Sequence, residues 1–165
     1  MRSERRAKID GNDWVDDLLS VLNSAGRCDW STLTGRRWTA LLCEQPQFAD
    51  KCNWDTLEGC DWGILLEYQP QFADRCEWNK LDGYAWSSLL IKQPQFSDRC
   101  DWNTLEGRAW SNLLIERPEF ADKCDWDKLD GSNWRDLLKK RPEFSDHCDW
   151  DKLDEDDWNE LRRDK

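Results

Sequence analysis

Histidine, methionine and long apolar runs are scarce in this chain. His147 is the single histidine and Met1 the single methionine among 165 residues. The sequence contains no glycine-rich phosphate loop and no H-E-x-x-H pair, and no nucleophile arrangement surrounds His147. We therefore expect no enzymatic activity, no cofactor and no bound metal.

Positive charge is also in deficit, with a net charge of −11 at pH 7. Neutralising phosphate requires clustered Lys and Arg, so this balance argues against nucleic acid or an anionic membrane as a partner. No apolar run approaches the roughly 18 residues that span a bilayer. Residues 1–8 lack the apolar core of a secretory signal, so we expect a cytoplasmic protein.

Tryptophan, in contrast, is abundant: the chain has 13, at regular positions, an aromatic content that disordered chains lack. Twelve of them belong to a sequence with a 24-residue period that occurs six times at constant spacing, the last time truncated, and Trp14 precedes the first copy. The copies begin at Cys28, Cys52, Cys76, Cys100, Cys124 and Cys148. A fixed period of this length indicates a tandem-repeat array.

We number the first cysteine of each copy as position 1. Trp, Leu and Leu at positions 11, 14 and 15 form the i, i+3, i+4 stripe of an amphipathic helix. Its start is marked by Gly at position 8 and by Asp61 or Asn133 at position 10, side chains that can accept N–H groups of the first turn. Proline at position 19 ends the helix and suits the first turn of a second element.

That second element has the sequence Pro-x-Phe-(Ala/Ser)-Asp, and a single turn beginning at Trp follows it, which Gly closes just past its end. The predicted fold class is all-α. It is a short α-solenoid of 24-residue repeats, each with one longer helix and a short helix or 3₁₀ turn, without a β-sheet and monomeric by default. We expect Phe96 to be buried where the third and fourth copies meet.

The copies divide the chain into three parts. Residues 1–27 are a basic tail and a degenerate N-terminal capping repeat, residues 28–147 are five full repeats, and residues 148–165 are a truncated C-terminal capping repeat. In the last copy Glu155 replaces the glycine of position 8 and Arg162 replaces the second leucine. An end that exchanges apolar groups for charge is typical of a solenoid cap.

The 24-residue period, with a helix alternating with a shorter helical or 3₁₀ segment, resembles the leucine-rich-variant class of α-solenoid. The sequence Gln-Pro-Gln-Phe-Ala-Asp-Lys-Cys at 45–52 is also similar to uncharacterised bacterial tandem-repeat proteins. The resemblance covers residues 28–165 in period and only loosely in residue type, since this chain uses Trp, Cys and Phe where that class uses Leu and Val.

Six of the eight cysteines share position 1. Equivalent residues of packed helices lie about 8–10 Å apart, whereas a disulfide needs Cα atoms within roughly 7 Å. No C-x-x-C pair suggests converging metal ligands. We favour a ladder of small buried thiols in a reducing compartment over disulfides or a metal site.

The tryptophans at positions 3 and 11 could stack sugars or bases, but their place beside leucines favours a core role. Their indole N–H groups then need acceptors, for which the Asp residues at positions 2 and 7 are candidates. The acidic turn at 125–131 resembles a calcium loop, yet Trp126 and Leu129 interrupt it, so capping is favoured. His147 stands where other copies have Lys or Arg, which favours a surface cation.

Positions 9, 13 and 16 vary between copies and should face away from the Trp-Leu-Leu stripe. In the middle copies they carry apolar residues, and an exposed apolar stripe is typical of an interaction site. The candidate partner-binding residues are Ile64, Tyr84, Ile91 and Ile115, flanked by Arg36 and Arg108. Neutral drift is the competing explanation.

We expect a protein–protein interaction module that binds a protein partner or a second copy. The alternatives are a structural spacer or self-assembling rod, and an acidic nucleic-acid mimic.

Overall fold

A computed structural model describes residues 30–163. They fall in two compact units, the first ending at Leu57 and the second beginning at Glu58. The fold is all-α and solenoid-like, as predicted, because helices and 3₁₀ turns alternate with the 24-residue period and the described residues contain no strand. The N-terminal tail and degenerate repeat predicted for residues 1–27 lie outside the described residues.

Each copy contributes one α-helix that begins at position 8. The helices are α1 (Gly35–Glu44) in the first unit, and α2 (Gly59–Tyr68), α3 (Gly83–Lys92), α4 (Gly107–Glu116), α5 (Gly131–Lys140) and α6 (Glu155–Arg163) in the second. In α1–α5 the position-11 tryptophan is at most 1% exposed, and the two leucines are buried with it. The predicted stripe is therefore the core, and in the second unit each helix packs on the next.

Two 3₁₀ elements separate successive helices. The longer ones start at proline and are Pro46–Lys51, Pro70–Arg75, Pro94–Arg99, Pro118–Lys123 and Pro142–His147. The shorter ones start at tryptophan and are Trp30–Thr32, Trp54–Thr56, Trp78–Lys80, Trp102–Thr104, Trp126–Lys128 and Trp150–Lys152. Proline has no backbone N–H to donate to the carbonyl four residues earlier, so the α-helix cannot continue through it. Its fixed φ suits the first residue of the new element.

The helix caps lie at position 7, before the predicted position 10. Three carboxylates accept the N–H three residues on: Asp82 from Ala85 at 2.9 Å, Asp130 from Asn133 at 2.8 Å and Asp154 from Asp157 at 2.9 Å. Asn133 therefore donates its N–H where it was expected to accept. Asp61 accepts the N–H of Glu58 at 3.1 Å, which completes a capping box in α2.

Glycine at position 8 begins α1–α5, as predicted, but in α2–α5 it is required by space and not by the left-handed conformation with which a glycine closes a turn. No described glycine has a positive φ. A β carbon on Gly59 would lie 2.0 Å from the backbone oxygen of Lys80, and one on Gly131 would lie 2.3 Å from that of Lys152. The start of each of the helices α2–α5 thus touches the short 3₁₀ turn of the following copy, and only a hydrogen fits between them.

Hydrogen bonds between successive copies repeat at equivalent positions. Position-12 serines donate to position-10 carbonyls of the next helix: Ser87 Oγ to Ala109 O at 3.0 Å and Ser111 Oγ to Asn133 O at 3.2 Å. The Lys128 ammonium donates to the carbonyls of Asn103 at 2.7 Å and Leu105 at 3.0 Å in the preceding copy. These bonds fix the register of one repeat on the next.

Phe96 does not occupy the predicted buried site between the third and fourth copies. It is half-buried, and its ring lies 5.3 Å from that of Trp78 in its own copy. Trp78 in turn stacks on Trp86, with ring centroids 5.5 Å apart and planes at 13°. The Pro-x-Phe segment therefore completes the aromatic cluster of its own repeat.

The predicted acceptors for the buried indoles are also wrong. The Nε1 atoms of Trp38, Trp110 and Trp134 are buried and have no hydrogen-bond partner. The position-7 carboxylates of Asp82 and Asp130 are used by the helix N-termini instead. An unsatisfied buried N–H costs about 1–3 kcal/mol. The hydrophobic effect opposes this cost, because an aromatic side chain of this size removes about 150–250 Å² of surface from water.

Salt bridges connect α6 to α5. Arg135 Nη1 lies 2.9 Å from Asp157 Oδ1, and Lys139 Nζ lies 2.8 Å from Glu160 Oε2. Arg135 occupies position 12, where Ser87 and Ser111 stand in earlier copies. An ion pair with the buried Asp157 therefore replaces the hydroxyl–carbonyl bond at this interface.

Candidate interaction surface

The predicted partner-binding residues differ in how far they reach solvent. Ile64 on α2 is 49% exposed and Tyr84 on α3 is 57% exposed, whereas Ile91 and Ile115 are half-buried. The two flanking cations are both exposed, Arg108 on α4 and Arg36 on α1 of the first unit. Positions 9 and 13 therefore carry the accessible apolar groups, whereas the side chains at position 16 are partly covered.

Position 16 is half-buried because a side chain from the next copy crosses beside it. Arg117 donates through Nε and Nη2 to the carbonyl oxygen of Ile91, at 2.9 and 2.7 Å. Arg141 Nε likewise donates to the carbonyl oxygen of Ile115 at 2.8 Å. These long side chains, at position 18, cover part of the helix end that the sequence pattern assigned to solvent.

Tyr68 at the end of α2 is exposed by 69% and was missed in the sequence. It stands one helical turn after Ile64, so the two side chains share a face. The sequence did contain a signal that Tyr68 faces solvent, because the residues at position 17 in the other full copies are charged. They are Glu44, Lys92, Glu116 and Lys140.

A groove lies between the exposed faces of α5 and α6. Between α5 and α6 its volume is about 540 Å³, and its lining includes Ser132, Asp156 and Glu160 at positions 9 and 13. The matching positions of α2 and α3 are Cys60, Tyr84 and Ser88. The residues at these positions are therefore partly acidic at the last pair of helices and include an aromatic residue at the earlier pair.

The tryptophans do not form an open stacking row in the full copies. The position-11 rings are in the core, and the position-3 rings are covered by their neighbours. In the fifth copy Trp126 stacks on Trp134 at 5.4 Å, packs on Phe144 at 5.5 Å and meets the exposed His147 ring at 4.5 Å with a 5° interplanar angle. His147 therefore acts as a flat cover for Trp126.

The five position-1 cysteines among the described residues, Cys52, Cys76, Cys100, Cys124 and Cys148, are free thiols, although they are half-buried rather than fully buried as predicted. Burial raises the pKa of Cys52, Cys76, Cys100 and Cys124 to about 12. A thiol with such a pKa stays protonated near neutral pH, and the thiolate is the form that reacts and binds metal. Cys60, at position 9 on α2, is exposed.

Residues 30–163 include no helix with the length and apolar content to cross a bilayer. In the same range no three His, Cys, Asp or Glu side chains converge as metal ligands would. No protein-family model matches the chain, and no curated protein or solved structure is significantly similar to it.

Proposed function

We propose that the chain is a non-enzymatic repeat scaffold that binds a protein partner through the exposed face of α2 to α4. Four large apolar side chains are exposed in the described residues, and three of them, Ile64, Tyr68 and Tyr84, lie on α2 and α3. We name these three the helix-face patch. Because α2 packs directly on α3, the patch spans neighbouring helices, and tyrosine is enriched in protein interfaces.

Further residues extend the proposed contact surface beyond the helix-face patch. Ile91 and Ile115 offer half-buried apolar contacts at equivalent positions of α3 and α4, and the exposed Arg108 supplies a cation at the start of α4. Arg36 is a candidate in the first unit. The resemblance to leucine-rich-variant solenoids supports a binding role, since such arrays present extended surfaces. The free thiols agree with a reducing, cytoplasmic location.

The test is site-specific photo-crosslinking in the source cells. A photoreactive phenylalanine analogue is placed at Tyr84, and a matched one at Ser132, which has the same position on α5. We expect a discrete protein adduct from position 84 and none from position 132. Equal labelling at both sites would refute the proposal, and an adduct with the chain itself would indicate a self-assembling rod.

A paired variant separates binding from folding. Ile64→Ser with Tyr84→Ser should abolish the adduct of a crosslinker at Tyr68. Exposed substitutions usually change the free energy of unfolding by less than about 0.5 kcal/mol each, so the variant should unfold at nearly the same urea concentration. An unfolded variant would assign these side chains to the core. A partner whose capture survives the variant but disappears in high salt would favour the acidic nucleic-acid mimic.

A further inference from the structure

A single carboxylate lies among the apolar residues of the proposed contact surface. Glu67, at position 16 of α2, is half-buried. Ile64 precedes it by three residues on the same helix face, and the exposed Tyr68 follows it directly. Ile91 has the same position on α3, the helix that packs on α2. A charge therefore adjoins the helix-face patch where the neighbouring copies have apolar side chains.

The chain provides a counter-charge for the charged residue that is equivalent to Glu67 on α5. That residue is Lys139, which is also half-buried, and its Nζ lies 2.8 Å from Oε2 of Glu160 at position 13 of the next helix. For Glu67, position 13 of the next helix is Ser88, which carries no charge. The place that holds the ion-pair partner between α5 and α6 is therefore neutral between α2 and α3.

Two further side chains approach Glu67 without forming an ion pair with it. Gln93, at position 18, donates to its backbone carbonyl oxygen at 2.7 Å, but this amide is uncharged, whereas later copies have Arg117 and Arg141 there. Burial raises the pKa of Glu67, and the charge of Lys92 opposes that rise. Lys92 nevertheless makes no ion pair with Glu67, and no other cation within residues 30–163 does so.

A partner that covers the helix-face patch would remove further water from this carboxylate. An apolar partner surface would then leave a covered charge without a counter-charge, which opposes binding, whereas a cation placed opposite the carboxylate would compensate for the lost water. The net charge of −11 also favours the approach of a basic partner.

Resting on the function proposed above, we infer that the partner presents a basic side chain, arginine or lysine, which pairs with Glu67 while apolar residues beside it contact Ile64 and Tyr84. Glu67 is thus the residue of this surface that selects for charge, and the helix-face patch supplies the apolar contact around it.

The test measures the yield of the protein adduct from the photoreactive analogue at Tyr84 in the source cells. Glu67→Gln should lower the yield about tenfold or more, because the loss of one member of a covered charge pair leaves the other unpaired. Glu67→Lys should abolish the adduct. The matched control, Glu116→Gln at an exposed carboxylate on α4, should leave the yield unchanged. Glu67→Gln should also unfold at the same or a higher urea concentration, since it removes a half-buried charge.

A charge exchange identifies the cation directly. Mass spectrometry of the adduct gives the partner segment, which should contain arginine or lysine. Changing that residue to glutamate should abolish the adduct with the unchanged chain and restore it with Glu67→Lys.

The possible failures are distinguishable. An adduct that survives Glu67→Lys but is lost with Ile64→Ser would overturn the inferred charge pair and leave the proposed function standing. The absence of any adduct from the unchanged chain would overturn both. A lower urea midpoint for Glu67→Gln would assign the carboxylate to an ion pair within the fold, and an adduct of the chain with itself would replace the partner by a second copy.

Discussion

Gly83 lies against Thr104 of the next copy so closely that a β carbon on it would be 2.3 Å from the Thr104 backbone oxygen. Alanine is normally better than glycine in a helix by about 1 kcal/mol. Here the clashing atom belongs to the backbone of a packed 3₁₀ turn, and overpacking costs about 1–3 kcal/mol or more. We therefore expect Gly83→Ala to lower the free energy of unfolding, measured by urea denaturation. The control, Asn112→Ala at an exposed site on α4, should change it by less than about 0.5 kcal/mol; a stabilised Gly83→Ala would contradict the close contact.

Arg135 and Asp157 should be coupled more strongly than Lys139 and Glu160. The Asp157 side chain is 7% exposed, so removing Arg135 leaves a buried carboxylate without its main counter-charge. A double-mutant cycle with Arg135→Met and Asp157→Asn should give a coupling of about 1–3 kcal/mol. The same cycle on Lys139 and Glu160, whose carboxylate is 44% exposed, should give less than about 1 kcal/mol. Equal couplings would mean that burial does not govern this interface.

The side chains at positions 18 and 20 should be exchangeable between copies only when both are changed together. Gln93 donates to the carbonyl of Glu67 at 2.7 Å and accepts from Gln95 at 2.7 Å. Arg117 makes the corresponding bond to Ile91 and has Glu119 at 3.7 Å. We expect Gln93→Arg with Gln95→Glu to leave thermal stability nearly unchanged.

Gln93→Ala is the matched comparison for that exchange, because it removes the bond between copies. It should cost about 0.5–1.5 kcal/mol, the usual net value of a hydrogen bond. If the paired exchange is as destabilising as Gln93→Ala, the two side-chain sets are not equivalent.

The thiols should react at very different rates in the folded chain. At pH 8, iodoacetamide should modify the exposed Cys60 first, while Cys76, Cys100 and Cys124 react slowly because burial raises the pKa of each to about 12. Peptide mass spectrometry after short labelling gives the order. In urea the difference should vanish, and reductant should not change the melting temperature. Rapid labelling of Cys100 in the native state would contradict its burial.

The same thiols should make the fold sensitive to alkali. An unfolded cysteine ionises near pH 9, whereas burial raises the pKa of folded Cys100 to about 12. The folded state therefore holds more protons between these values, and its stability falls as pH rises from 9 towards 12. Cys100→Ala should make this decline in urea stability shallower. Asn112→Ala, at an exposed side chain that does not titrate, should leave the slope as it is; the opposite pattern would refute this cause.

The sequence was sufficient for the fold because the repeat makes local signals coincide. Trp86, Leu89 and Leu90 mark one helix face, and Pro94 limits how far the helix extends, so neither inference needs long-range information. The role of Gly83 was not predictable, since glycine suits both a turn end and a close contact. Only the position of Thr104, 21 residues later, distinguishes the two.

The candidate surface was only partly accessible to sequence reasoning. The exposure of Ile64 and Tyr84 agrees with helical periodicity, but the half-burial of Ile91 depends on Arg117, which lies 26 residues away.

The contact between glycine and the following turn has a consequence for how such a chain can change in length. Deleting residues 76–99 would join Arg75 to Cys100 and bring Gly59 against the Thr104 carbonyl in place of that of Lys80, with no new kind of junction. Unequal recombination within the repeated DNA could therefore add or remove whole copies while preserving every interface. Glu155 is different, because it places a side chain where α2, α3, α4 and α5 each have a glycine hydrogen. A residue with a β carbon at this position therefore disfavours on α6 the close stacking seen at Gly59, Gly83, Gly107 and Gly131.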